Sequence, residues 1–69
     1  MKIVITGQSI KIGQLLKKIN LIQTGGQASF FLAENKVKVN GISPQGRGSK
    51  VKVGSTVSIN NKLYEIVSE

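Results

Sequence analysis

The apolar pattern of the chain changes period in the segment KVKVNG, residues 36–41. Alternation of valine and lysine predicts a strand with its valines inward and its lysines in solvent. Asn40-Gly41 is the strongest short signal for a hairpin turn, because both residue types accept a positive φ. Residues 42–43 are then expected to begin the return strand, and residues 44–50 to form an exposed loop. The segment therefore marks the start of the β-rich part of the chain.

Upstream of this segment the apolar residues follow the helical period. Four of them lie at i, i+3, i+4 and i+7 and predict one face of an amphipathic helix, namely Ile12, Leu15, Leu16 and Ile19. A second helix is predicted to begin at residues 24–27, where Thr24 can cap it. Asn35 is expected to end that helix, because asparagine tolerates the left-handed conformation. Its expected buried stripe is Ala28, Phe31 and Leu32.

Short β-branched runs on both sides of the helices predict further strands. They lie at residues 2–6, 51–53, 56–59 and 62–67, with turns at Gly54-Ser55 and Asn60-Asn61. In the last strand two inward faces compete, one with Tyr64 and Ile66 and the other with Leu63 and Val67. The predicted fold class is therefore α+β, with two packed helices over a small, mostly antiparallel sheet of short strands.

The composition excludes several kinds of chemistry. The 69 residues fit one domain, residues 1–69, and they contain no cysteine, histidine or aspartate. Thiolate or imidazole catalysis is thereby excluded, and a metal centre with histidine or cysteine ligands is too. No run of about 18 apolar residues is present to span a membrane. We expect a cytoplasmic, non-catalytic protein with no cofactor, no small-molecule substrate and no membrane partner.

The net charge of +7 is concentrated in one part of the chain. Residues 11–52 carry eight basic residues against Glu34 alone, whereas the remainder of the chain is neutral. Such a field attracts polyanions. Two of the cations, Arg47 and Lys50, lie among small residues in GRGSK, residues 46–50, which can approach a phosphate backbone closely. A generic soluble surface explains the alternating Lys36 and Lys38 equally well.

Two further features at the second helix each have two interpretations. Gly25-Gly26 could present backbone N–H groups to a phosphate, or form a flexible turn between the helices. Phe30 lies about 200° from Ala28 around the helix, by the 3.6-residue period. It could stack on a nucleobase, but we favour packing under the strand Ile3–Ile5.

From Lys11 to Ile59 the sequence resembles the S-four RNA-binding domain, the αL-type RNA-binding motif. The segments that carry the resemblance are KIGQLL at 11–16, TGGQA at 24–28, VKVNG at 37–41 and VKVGSTV at 51–57. The GGQA segment and the basic Gly/Arg loop are similar to the stand-alone YaaA-like group. The chain departs from the family motif at Gly13, Gly25, Asn35 and Ser55, where the family has Asp, Arg, Gly and Asp.

The resemblance implies two helices packed on a small sheet, with RNA bound across the helices and hairpin. The expected target is a structured RNA, ribosomal or transfer RNA, and the ribosome is a candidate partner. The residues expected to contact phosphates are Lys11, Lys17, Lys18, Lys36, Lys38, Arg47 and Lys50. Hydrogen bonds are expected from Thr24, Gly25, Gly26 and Gln27. The alternatives are a protein-interaction adaptor and a charge-driven, nonspecific DNA binder.

Overall fold

A computed structural model describes residues 1–46 and 48–69 of the chain. Within these ranges there are six strands and two helices. In chain order they are β1 (Lys2–Ile5), β2 (Ser9–Lys11), α1 (Ile12–Lys18), α2 (Gln27–Glu34), β3 (Val37–Val39), β4 (Lys50–Lys52), β5 (Thr56–Ile59) and β6 (Lys62–Ser68). The predicted α+β class, with two helices and mostly antiparallel strands, is confirmed.

The strands form a four-stranded sheet in the order β1-β6-β5-β3 and a separate ribbon of β2 with β4. Pairing is antiparallel everywhere except between β1 and β6, which run parallel with Ile3 opposite Ile66. Backbone bonds extend this parallel pair at both ends, from Glu65 N to Met1 O (2.8 Å) and from Glu69 N to Ile5 O (3.2 Å). The first and last strands thus lie side by side.

One apolar cluster joins both helices to the strands. The fully buried face of α1 is the predicted one, with Ile12, Leu15 and Leu16 inaccessible to solvent and Ile19 packed at the margin. The other buried apolar residues are Ile3, Ile5, Ile22, Ala28, Val37, Val51, Val57, Ile59, Tyr64 and Ile66. Each strand except β2 contributes at least one of these side chains, and β2 adds the partly buried Ile10.

The β3 turn forms as predicted, but its return strand does not. Asn40 and Gly41 both have positive φ, 52° and 81°. Ile42, however, makes only an isolated bridge to Val39 and remains 72% exposed. The strand that pairs with β3 is β5, and the Asn40 side chain fixes this arrangement because its Oδ1 accepts the N–H of Thr56 at 3.0 Å. The predicted strand at residues 42–43 is wrong.

At both ends of α2 the capping interactions differ from those predicted. Thr24 makes no capping bond; instead the Gln27 Oε1 accepts the N–H groups of Gln23 (2.7 Å) and Thr24 (3.2 Å). Asn35 does end the helix, but in an extended conformation with φ −127°. Its Nδ2 donates to the Phe31 carbonyl at 3.0 Å, so the side chain ends the helix by satisfying a terminal carbonyl group.

The inward face of β6 carries Tyr64 and Ile66, which settles the choice left open by the sequence. We expect Ile66→Ala to lower the free energy of unfolding by about 2–5 kcal/mol, because Ile66 is fully buried. Leu63→Ala is the matched control in the same strand; Leu63 is 60% exposed, so about 0.5 kcal/mol or less is expected. Urea denaturation of both variants measures the difference. Equal losses would contradict this register.

Candidate nucleic-acid interface

Three separate segments of the chain meet at a groove of about 220 Å³ on the basic side of α1. Lys11 and Lys17 line it from the start and the last turn of α1. Gly25 lines it from the connection to α2, and Gly48 from the loop before β4. Gly13 and Gln14 complete the lining. Three of these six residues, Lys11, Lys17 and Gly25, were predicted separately from the sequence, and the fold brings them together.

The β2–β4 ribbon explains why the loop lies beside α1. β2 runs directly into α1, so any strand paired with β2 is held at the helix start. The ladder continues into the helix, because the first helical N–H, that of Ile12, donates to the Ser49 carbonyl at 2.8 Å. Ser49 in turn braces the loop through its Oγ, which accepts the N–H of Gln45 at 3.1 Å. These bonds therefore hold the chain just before β4 beside the start of α1.

The same ribbon places two cations directly opposite each other. Lys11 is the register partner of Lys50, and Ser9 is the partner of Lys52. Like charges in direct cross-strand register are unfavourable. Both ammonium groups are exposed, and no carboxylate is among the described residues that line the groove. The pair raises the positive potential next to Lys17 and Gly25 without a compensating anion in the lining.

The carboxylates lie on other parts of the fold. Glu65 sits in β6, in register with Lys2 on one side and Thr56 on the other. Glu69 accepts a hydrogen bond from the Thr6 hydroxyl at 3.4 Å. Glu34 is at the end of α2. None of the three glutamates is among the described residues that line the basic groove.

The remaining predicted contact residues lie outside this groove. Lys18 lines an adjoining hollow together with Lys17 and Gln14. Lys36 and Lys38 line a separate hollow with Ser43 and Pro44, and its described lining shares no residue with that of the basic groove. Arg47 lies outside the described residues. The groove and the adjoining hollow thus form one continuous candidate surface, and the β3 lysines form a second.

Some hydrogen-bonding groups of the segment 24–27 are already used within the protein, at the start of α2. The N–H of Gln27 donates to the Thr24 carbonyl at 3.1 Å, and the N–H of Ala28 donates to the Gly25 carbonyl at 3.2 Å. The Gln27 Oε1 is engaged as well, because it accepts the N–H groups of Gln23 and Thr24. Gly26 and Gln27 line a different, apolar groove. Gly25 alone of the four lines the basic groove.

Two residues at the surface were missed or misjudged from the sequence. Gln14 lines both the basic groove and its neighbour, and its position three residues from Lys11 and Lys17 on the polar side of α1 could have revealed it. Phe30 is 70% exposed, so the expected packing under β1 is wrong. The isoleucines of β1 turn instead into the core beside α1.

Other kinds of site find no support in the described part of the chain. No three acidic, histidine or cysteine side chains there lie close enough to bind a metal ion. Neither helix within those residues has the length and apolar character required to cross a membrane.

Comparison with known proteins gives two matches. The family model of the S4 domain matches residues 3–67 of the chain. This is the S-four family whose motifs the sequence resembles. The protein named "Probable ribosome maturation protein RlbA" from Bacillus subtilis (strain 168) is 44% identical over 52 residues, which cover 75% of this chain and 73% of that protein. No solved structure matches the chain.

The opposed lysines give a prediction about stability. Lys50→Glu should raise the free energy of unfolding by about 0.2–1 kcal/mol, because it replaces cross-strand repulsion of Lys11 by attraction. Lys52→Glu changes the net charge equally but lies opposite Ser9, so it is the control. Urea denaturation at low salt should separate the two, and the difference should shrink at about 1 M salt. Identical curves at low salt would contradict the proximity of the Lys11 and Lys50 charges.

Proposed function

The chain belongs to the S4 domain family, and from this membership we propose that it is a single, non-catalytic module that binds structured RNA. The observation that carries the proposal is the basic groove, where Lys11 and Lys17 flank Gly25 and Lys50 lies across the ribbon from Lys11. Phosphates of an RNA backbone are the anions that such a surface fits.

The shape of the groove favours RNA recognised through its backbone. Structured RNA is bound largely by its shape, its phosphates and its 2′-hydroxyl groups, since the deep major groove of A-form helices is closed to side chains. Lysines on a helix and a neighbouring strand suit such contacts, because each ammonium is a flexible point charge with three donors. Gln14 between them can bond a phosphate or a 2′-hydroxyl. Lys36 and Lys38 would then provide an outlying contact.

The relative with a ribosome maturation name favours a ribosomal target over transfer RNA. We infer that the RNA is a structured segment of ribosomal RNA and that binding takes place on a ribosomal particle or its precursor. A cytoplasmic location belongs to the same proposal. The absence of cysteine, histidine and aspartate from the sequence supports a binding role without catalysis.

Binding should depend strongly on salt and should favour structured RNA. If about four lysines meet phosphates, the log–log slope of the association constant against salt should be about −3 to −4. Fluorescence anisotropy at several salt concentrations gives the slope, and competition by duplex RNA, single-stranded RNA and duplex DNA at one concentration gives the preference. DNA competing as well as RNA would indicate a nonspecific binder. No RNA binding by the folded protein would favour the adaptor.

Gly25 stands where the family motif has an arginine, which gives a gain-of-function prediction. A Cβ at Gly25 would meet no atom within 4 Å, and its φ lies outside the positive region. Gly25→Arg should therefore fold without loss of stability and place a guanidinium at the basic groove. We expect RNA binding about five- to thirtyfold tighter, since one charged contact contributes roughly 1–2 kcal/mol.

Gly25→Gln is the matched control, because it adds a side chain of intermediate length without charge. It should fold equally well and change RNA affinity much less than the arginine does. Weaker binding by both variants, with unchanged thermal melting, would show that RNA approaches the bare backbone of Gly25. Such a result would place the phosphate against the glycine and leave the proposed lysine contacts standing.

A further inference from the structure

A second, apolar groove of about 430 Å³ runs along α2. Phe30 is its most exposed aromatic side chain, and Leu21, Ile22 and Phe31 form its walls. Exposed aromatic rings are costly to leave in water, and a ring that is accessible on one face can stack on another flat group. Its lining includes the motif positions Gly26 and Gln27, whereas Phe30 lies outside the segments that carry the resemblance.

Gly26 leaves the ring of Phe30 uncovered. The two residues are four apart at the start of α2, so they are neighbours on one helix face, and both line the groove. Side chains on a helix lean towards its N-terminus, which directs Phe30 towards Gly26. Gly26 has no side chain to cover the ring, and a Cβ there would meet the Thr24 Oγ1 at 3.9 Å, so a small space is open beside the backbone. A planar group can enter this space.

The apolar groove and the basic groove meet at consecutive residues. Gly25 lines the basic groove and Gly26 lines the apolar one. Neither glycine carries a Cβ, so no side chain of this pair rises between the two grooves. A ligand that carries an anionic group and a flat group on either side of a short linker can occupy both grooves. A nucleotide has this form, with a phosphate on one side of its sugar and a base on the other.

The charges orient such a nucleotide in one direction. The basic groove contains Lys11 and Lys17, whereas the apolar groove has Glu34 at its edge and no cation among its described lining residues. A phosphate is therefore favoured on the lysine side. The carboxylate of Glu34 can accept a hydrogen bond from the exocyclic amino group of a base, as acidic side chains do with cytosine. The base is favoured on the Phe30 side.

We propose that the groove beside Phe30 binds an unpaired nucleobase of the RNA whose adjacent phosphate lies in the lysine groove. This proposal rests on the proposed RNA-binding function and narrows its target: a stem with a bulged or flipped-out nucleotide is preferred to a continuous duplex. Stacking of a base on an aromatic side chain tolerates any base, so generic RNA probes suffice to detect it.

The test uses two hairpin RNAs with the same stem, one fully paired and one with a single bulged 2-aminopurine. The wild-type protein should bind the bulged hairpin roughly 5- to 100-fold more tightly and quench the 2-aminopurine fluorescence. Phe30→Ala and Phe30→Leu should both abolish the preference and the quenching while binding the paired hairpin as the wild type does. Phe30→Trp should retain both. Since Phe30 is exposed, the variants should keep the wild-type melting temperature.

Lys17→Ala is the control for the phosphate side, and it should weaken binding of both hairpins by the same factor. Equal wild-type affinity for the two hairpins would overturn the nucleobase site and leave RNA binding intact. A preference that survives in both Phe30→Ala and Phe30→Leu would also overturn it, because the bulged nucleotide would then be recognised without the aromatic ring. Failure of the wild-type protein to bind either hairpin would instead reject the proposed function itself.

Discussion

Burial of one apolar cluster is the constraint on which this small fold depends. The sequence has no cysteine with which to cross-link the chain, and a core of this size contributes little surplus stability. Both helices and all the strands bring side chains to the same cluster, so no element has a core of its own. Ile12, Leu15 and Leu16 of α1 are buried in this cluster. The helical period therefore places Lys11, Gln14 and Lys17 together on the opposite, exposed side of the helix. Packing of the core thereby fixes the surface that carries the cations.

Like charges on that surface repel each other. Lys11 and Lys50 face each other across a two-stranded ribbon, and the three glutamates lie elsewhere. Such an arrangement stores a small unfavourable energy that a polyanion would relieve on binding, because each phosphate would lower the repulsion between the lysines it meets. The backbone bond from Ile12 to Ser49 keeps the two lysines from separating. Main-chain bonds thus hold the two lysines opposite each other despite their like charges.

Much of the fold could be predicted where its cause is local. The stripe of α1, the strand β5 and the asparagine turns at 40 and 60 depend on spacing or on a residue's own φ, which sequence reveals directly. The parallel partner of β1, the partner of β3 and the strand β2 depend on residues far along the chain, and no local period encodes them. The site divides in the same way. The basic residues were evident from the sequence. Tertiary packing, which the sequence does not reveal, brings Lys11, Lys17 and Gly25 to one groove. It also places Lys36 and Lys38 in a separate hollow and leaves Phe30 exposed.

The side-by-side position of the first and last strands has a consequence during synthesis. β1 precedes the other described elements in the chain and its partner β6 follows them, so Ile3 is synthesised well before its register partner Ile66. At roughly 5–20 residues per second, translation of the intervening chain takes about 3–13 s. During that time the backbone groups of β1 are unpaired and its isoleucines have no β6 to pack on. The four-stranded sheet therefore cannot form until β6 has been synthesised, and a nascent chain stalled before β6 cannot complete its core.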